Sequence, residues 1–265
     1  CWNAAAKTAR EDPPKRERGD RRVNQRFWSE LARQLEPYTP GEQPPRGELL
    51  KLNTNESAFP PSPRVLEAIA SVDAEDLLRY PDPNSTALRE VGARDSGLDP
   101  EQIFVGNGSD EVLSHVFQGL LKQPRELLFP DITYSFYPVW CQLHGISYRQ
   151  VPLREDFSID PEDYSRAAAA VIFPNPNAPT GRLLETDDLR RFLTASSSRL
   201  VVVDEAYIDF GGRSAVSLLD EFDNLLVVQT LSKARALAGL RVGLAFATPS
   251  LIEALLRVKD SFNSY

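Results

Sequence analysis

Lys233 stands in a run of small, apolar and basic residues from Thr230 to Gly243, with Ser232 directly before it and Arg241 further on. Upstream, Asn224-Leu225-Leu226-Val227-Val228-Gln229 reads as a short strand, so the lysine leaves a strand end in a Ser-Lys step. A primary amine held in such a place can condense with an aldehyde to form an imine. The Ser232 hydroxyl and the Arg241 guanidinium beside it suit a phosphate. A solvated loop lysine is the plain alternative for any one lysine, so its partners decide the reading.

Those partners begin with Leu200-Val201-Val202-Val203-Asp204-Glu205-Ala206-Tyr207. The apolar run predicts a strand buried on both faces, and ligands of open α/β sheets sit beyond the carboxyl ends of such strands. Asp204 is therefore expected at a crevice, where a buried anion needs a cation. A pyridinium N–H is suitable, because the carboxylate keeps the ring protonated and able to accept electrons. Tyr207 can donate to a phenolic ring oxygen. Taken alone, Asp204 could equally cap the turn after a strand. A third segment, Ile103-Phe104-Val105-Gly106-Asn107-Gly108-Ser109-Asp110-Glu111, predicts a strand, a glycine turn and a helix with Val112, Val116 and Leu120 as its apolar stripe. Ser109 is expected as the N-cap, its own N–H and that of Asp110 facing an anion. Aldehyde, pyridinium and phosphate together describe pyridoxal phosphate.

Read in order, these segments resemble the aspartate-aminotransferase-like, fold type I pyridoxal-phosphate enzymes, and their wording is similar to the histidinol-phosphate aminotransferase branch. The resemblance runs from about Phe27 to the last residue. It is carried by Phe27-Trp28-Ser29, Leu35-Glu36-Pro37-Tyr38, Pro40-Gly41-Glu42-Gln43-Pro44, Lys51-Leu52-Asn53-Thr54-Asn55-Glu56-Ser57 and Arg79-Tyr80-Pro81-Asp82. It continues through the glycine turn, Asn175-Pro176-Asn177-Ala178-Pro179-Thr180-Gly181, Asp204-Glu205-Ala206-Tyr207 and the lysine run. The resemblance implies that Lys233 holds the cofactor as an imine and moves the substrate proton. It implies that Asp204 pairs with the pyridine nitrogen, that Tyr207 bonds the ring oxygen, and that Tyr134 stacks on the ring. Ser109, Asp110, Ser232 and Arg241 are implied to hold the phosphate. Tyr80 is implied to reach the phosphate of a neighbouring subunit, so the site needs a homodimer, and Asn55 and Glu56 are implied to lie over the substrate. One departure is evident. The superfamily places an asparagine directly before Pro-Thr-Gly, against the ring oxygen, where this chain has Ala178. Asn177 is the adjacent candidate to replace it; the loss removes one hydrogen bond, about 0.5–1.5 kcal/mol net.

The composition fits. The net charge of -8 argues against a nucleic-acid surface and leaves an anionic substrate to local cations. Two cysteines, Cys1 and Cys141, are too few for a disulfide framework or a thiolate metal site, and His115 and His144 are isolated, so no metal is expected. No apolar run is long enough for a transmembrane helix and no signal-peptide pattern opens the chain; a cytoplasmic location is the default expectation.

Residues 1–25 are charge-dense and read as a disordered leader. Residues 26–75 read as an N-terminal arm contributing to a small domain, with helices around 27–35 and 62–72; 76–248 as the cofactor-binding large domain; and 249–265 as the start of an interdomain helix. Within the large domain, helices are predicted at 85–95, 110–121, after Thr133 and at 185–195. Strands are predicted at 103–106, 126–129, 146–151, 169–173, 200–204, 225–230 and 241–247. Such alternation predicts an α/β fold, a mostly parallel sheet with helices on both faces. The chain has no methionine, even at position 1, and stops soon after the last predicted strand. It is therefore expected to be a truncated piece without the C-terminal small domain, which in the family carries an arginine for the substrate.

The function implied is transamination between histidinol phosphate and 2-oxoglutarate, giving imidazole-acetol phosphate and glutamate, in histidine biosynthesis. A related aromatic aminotransferase or a threonine-phosphate decarboxylase-like enzyme shares the cofactor residues. A non-catalytic cofactor-binding fragment is the alternative from another class. A nucleotide-binding α/β domain is disfavoured, because Gly106-Asn107-Gly108 lacks a third glycine in place.

Overall fold

Runs of valine, leucine and isoleucine build the sheet, as β-branched and leucine residues do when both faces are covered. In the computed structural model, which describes residues 25–35 and 51–261, the chain divides into two units, Cys1–Pro37 and Tyr38–Tyr265. The described part of the first holds one short helix, α1 (Glu30–Gln34), whose N-cap Ser29 accepts from the Ala32 N–H at 3.2 Å. The leader and the Pro40–Pro44 run lie outside the described residues, apart from Gln25.

The second unit contains α2 (Pro63–Ala70), α3 (Ala74–Leu78), α4 (Thr86–Ser96), β1 (Ile103–Asn107), α5 (Gly108–Val116), β2 (Leu127–Pro130), α6 (Phe136–His144), β3 (Tyr148–Val151), β4 (Ala170–Pro174), α7 (Thr186–Ala195), β5 (Leu200–Asp204), β6 (Leu225–Thr230), β7 (Val242–Ala247) and α8 (Pro249–Asp260). The strand order is β1-β7-β6-β5-β4-β2-β3. β7 runs antiparallel to both its neighbours, and every other pairing is parallel. This is the mostly parallel α/β sheet that the sequence predicts. The carboxyl ends of β1, β4, β5 and β6 and the amino end of β7 therefore share one edge.

Alternation along the central strands divides the core. Val202, Leu226 and Val228 face Val112, Val116, Tyr137, Trp140, Ile252 and Leu255 of α5, α6 and α8. Val201, Val203, Leu225 and Val227 face Leu189, Phe192 and Leu193 of α7, with Ala93 of α4. Each such fully buried side chain contributes about 1.5–3 kcal/mol of transfer free energy, so the two-sided packing fixes the sheet and the edge it presents.

Three local differences from the sequence expectation have physical causes. Helix α5 begins at Gly108, with Asn107 in the cap position, so Ser109 falls in the first turn and is not the N-cap. Gly108 has φ +82°, which lets the chain turn directly from strand to helix. The helix predicted to reach residue 121 widens into a π turn at Phe117–Leu121, where a Cβ on Gly119 would come 2.9 Å from Val258 of α8. Helix α3, which apolar spacing does not reveal, is held by a capping box in which Asp73 accepts from the Asp76 N–H and Asp76 accepts from the Asp73 N–H, both at 3.1 Å. Neither α2 nor α3 has a buried residue; Leu66, Ile69, Leu77, Leu78 and Tyr80 are all exposed.

A close backbone approach joins β7 to α5. A Cβ on Gly243 would collide with the carbonyl of Gly108 and the amide of Ser109. Gly243→Ala is expected to destabilise the chain by about 1–3 kcal/mol through overpacking, read as a lower midpoint in urea unfolding at unchanged slope. An unaltered midpoint contradicts that packing.

Candidate active site

Each predicted residue at the shared sheet edge is placed by a strand end. Asp204 closes β5, Lys233 follows β6 in the loop 231–241, Arg241 precedes β7, and Ser109 and Asp110 open α5. With Tyr134, Tyr207 and Ser232 they line one cavity, together with Pro174, Ala178, Ala206 and Thr230.

The cavity has an anionic wall and a cationic end. Asp204 is only 4% exposed, and its two oxygens accept one bond each, from the Tyr137 hydroxyl at 3.0 Å and from the Ala206 N–H at 3.2 Å. Burial pushes its carboxyl up to about 6, against the lowering effect of those two donors. Among the described residues Asp204 forms no ion pair, so a cationic N–H in the cavity meets an unneutralised carboxylate. At the other end Arg241 reaches Ser232 Oγ at 3.4 Å and Asp110 Oδ2 at 3.5 Å. Arg241 has a left-handed backbone (φ +54°), and a Cβ on Gly108 would strike its guanidinium, so the arginine lies flat against the glycine turn. The first-turn N–H groups of α5, with the helix dipole behind them, complete an end suited to an anion.

Lys233 lines the same cavity. Its Nζ donates to the Thr54 carbonyl at 2.8 Å and sits 5.7 Å from the centroid of the Tyr207 ring. The Tyr207 hydroxyl accepts from Asn55 Nδ2 at 2.9 Å. Tyr134 donates to Asp110 Oδ1 at 3.1 Å, and its phenol is pushed well above the ordinary range, first by burial and then by the Asp110 charge.

Four predicted residues lie off the cavity wall. Asn55 touches the site through Tyr207. Glu56 is paired with Lys51 at 2.7 Å, which holds its carboxyl below the usual range. Tyr80 is 78% exposed and does not line the cavity of its own chain. Asn177 is not brought to the cavity, although Ala178 is. Its side-chain amide donates to the Ile132 carbonyl and to Thr180 Oγ1, both at 3.0 Å, which turns it into the loop that it braces.

Sequence reasoning missed Tyr137, Glu205 and the Thr54 carbonyl. Glu205, 2% exposed, accepts from Ser214 Oγ at 2.6 Å, the Ala215 N–H at 2.7 Å and Gln229 Nε2 at 2.8 Å, tying the 208–218 segment to β6. Burial pushes its carboxyl up to about 7. The only available signal was an acidic pair after a valine run; Tyr137 had none beyond its place in an aromatic cluster.

Comparison with known proteins decides the family. The sequence profile of "Aminotransferase class I and II" matches residues 47–265. The chain belongs to that family. It is 58% identical over 244 residues to histidinol-phosphate aminotransferase 2 of Dechloromonas aromatica, covering 91% of this chain and 68% of the relative. It is 59% identical over 239 residues to histidinol-phosphate aminotransferase 1 of Methylococcus capsulatus, covering 90% and 67%. Among solved structures, histidinol-phosphate aminotransferase from Sinorhizobium meliloti in complex with pyridoxal-5'-phosphate superposes with a TM-score of 0.72 at 30% identity, over 79% of this chain and 59% of that one. The chain thus spans about two thirds of the length of these curated relatives, and less of the solved one.

The two raised carboxyls set a pH dependence. A carboxyl that holds its proton more tightly folded than unfolded stabilises the fold below its unfolded midpoint, and that stability is lost as pH rises through the folded one. For Asp204 the loss falls between the ordinary aspartate midpoint of 3.8 and about 6. Asp204→Asn is therefore expected to gain stability relative to the parent as pH rises across that window. Urea unfolding of both proteins at pH 4, 5, 6 and 7 checks it; a constant difference contradicts the buried carboxylate.

Proposed function

We propose that the protein is a pyridoxal-phosphate-dependent histidinol-phosphate aminotransferase, exchanging the amino group of histidinol phosphate with 2-oxoglutarate to give imidazole-acetol phosphate and glutamate. The observation that carries this reading is that Lys233, Asp204 and Tyr207 line one cavity whose far end holds Ser109, Ser232 and Arg241. The names of the relatives supply the substrate.

The donor set fits pyridoxal phosphate group by group: an amine for the aldehyde, a buried unneutralised carboxylate for a pyridinium N–H, and a cationic, N–H-rich end for the phosphate. When bound, the cofactor supplies an aldehyde that takes up amino groups and a ring that accepts the electron pair left at the substrate Cα. Lys233 Nζ would hold the aldehyde and would move the proton at the substrate Cα. Asp204 would hold the proton of the ring nitrogen in place. The Tyr207 hydroxyl would donate to the ring oxygen, and Tyr134 would pack against the ring. Ser109, Asp110 through its backbone N–H, Ser232 and Arg241 would hold the phosphate, while the Asp110 carboxylate accepts from both Tyr134 and Arg241. Asn55 and Glu56 border the substrate space.

A homodimer belongs to the same reading. Tyr80 is exposed and does not line its own cavity, and α2 and α3 carry exposed apolar residues that a second copy can cover. We read 26–75 as an N-terminal arm contributing to a small domain, 76–248 as the cofactor-binding domain and 249–265 as the start of an interdomain helix. The protein would work in the cytoplasm; among the described residues no helix is long and apolar enough to cross a membrane.

Borohydride reduction after addition of pyridoxal phosphate, followed by peptide mapping, is expected to label Lys233. A label on another lysine, or none in folded protein, rejects the reading. Arg241→Ala is expected to weaken cofactor affinity about ten- to a hundredfold, as loss of a charge-assisted hydrogen bond does, measured by fluorescence titration. With glutamate formation as the assay, histidinol phosphate is expected to outperform aspartate and phenylalanine as donor; a preference for either rejects the substrate.

A further inference from the structure

Tyr137 is fully buried in the first turn of α6, and no step above uses it. Its ring is fixed by Phe129 edge-on at 5.7 Å, Phe117 at 6.0 Å and Tyr134 edge-on at 5.8 Å. That packing aims a single polar atom, the hydroxyl, at Asp204 Oδ2. Burial and the Asp204 charge raise the phenol well above its ordinary value, so Tyr137 keeps its proton and stays a donor.

From the geometry we propose that Tyr137 is a positioning residue: its hydroxyl holds Asp204 ionised and with fixed lone pairs toward the cavity, and so decides whether the site can offer an anion to a protonated ring nitrogen. The clause about the ring rests on the function proposed above; the hydrogen bond does not. The other charged or titratable groups around Asp204 are Asp110 on α5, Tyr134 before α6, Glu205 and Tyr207 in its own turn, and Lys233 and Arg241 on the cavity wall. Asp110 adds like charge, and the Ala206 N–H is the other donor to Asp204. Losing one hydrogen bond to a buried carboxylate raises its proton affinity about ten- to a hundredfold. With a midpoint already near 6, that change raises the protonated share of Asp204 at pH 7. A protonated carboxyl does not answer a pyridinium.

The test is a carbon-13 NMR titration of ligand-free protein labelled at aspartate Cγ, comparing the parent with Tyr137→Phe. The Asp204 midpoint is expected to rise by about one pH unit or more; an unchanged midpoint overturns the proposal. A second measurement needs no variant. In the parent, labelled at tyrosine Cζ, the Tyr137 signal is expected to shift with the Asp204 midpoint, and a signal flat through that pH range overturns it too. With nitrogen-15 pyridoxal phosphate bound at pH 7.5, the ring nitrogen is expected to be protonated in the parent and to lose that proton in Tyr137→Phe. If the protein takes up no pyridoxal phosphate, the proposed function fails while the ligand-free titrations still judge Tyr137. If Lys233 is labelled but the titrations are flat, only the role of Tyr137 falls.

Discussion

A carboxylate at the end of a central strand, almost out of water, is the constraint around which the rest of this site is arranged. Asp204 sits on β5 between β4 and β6, where the sheet is covered on both faces. An ionised group in that position is costly unless its oxygens are answered. Two donors are fixed on it, one from the following turn and one from a tyrosine locked in an aromatic cluster. The remaining lone pairs face the cavity. The energetic imbalance left there is what a cationic ligand group can relieve, which makes an otherwise unfavourable burial functional.

The opposite end of the cavity depends on chain direction. Because β7 runs against β1 and β6, its amino end arrives at the same edge as their carboxyl ends. Gly243 and Gly108 then allow the two backbones to touch, and Arg241 is laid over the glycine turn beside the first N–H groups of α5. An anion-binding end and a carboxylate wall in one hollow select a ligand with a negative group at one extremity and a positive N–H at the other. Lys233 lines the same hollow and, in the function proposed above, meets the aldehyde. Orientation therefore follows from charge separation before any shape complementarity is considered.

The sheet and most of this edge were legible in the sequence because they follow from periodicity. A buried valine run ending in aspartate, or a strand ending in Ser-Lys, has its last residue at the carboxyl edge by construction. What was not legible depends on choices made by neighbouring backbone or distant elements. Ser109 reads as a cap, but Gly108 with positive φ takes up the turn one residue earlier. Asn177 stands next to the position that faces the cavity, and its amide is consumed by Ile132 and Thr180. Tyr137 meets Asp204 only because α6 packs its aromatic face on the sheet, a contact across 67 positions that no local pattern encodes.

The alanine at position 178 then has a physical consequence. With no amide at the cavity wall there, the ring-oxygen donor left in the proposed site is Tyr207. A phenol has one proton to give and can accept as well. Here it accepts from Asn55 Nδ2, which leaves its own proton available and polarises the O–H toward stronger donation. Asn55 in turn is held with φ +54° in a segment pinned by the Lys51–Glu56 pair. The strain of a left-handed asparagine is modest, since its short polar side chain tolerates that region better than most. In the proposed site the Tyr207 hydroxyl thus ties the ring-oxygen side to Asn55, in the segment that also holds the Lys51–Glu56 pair.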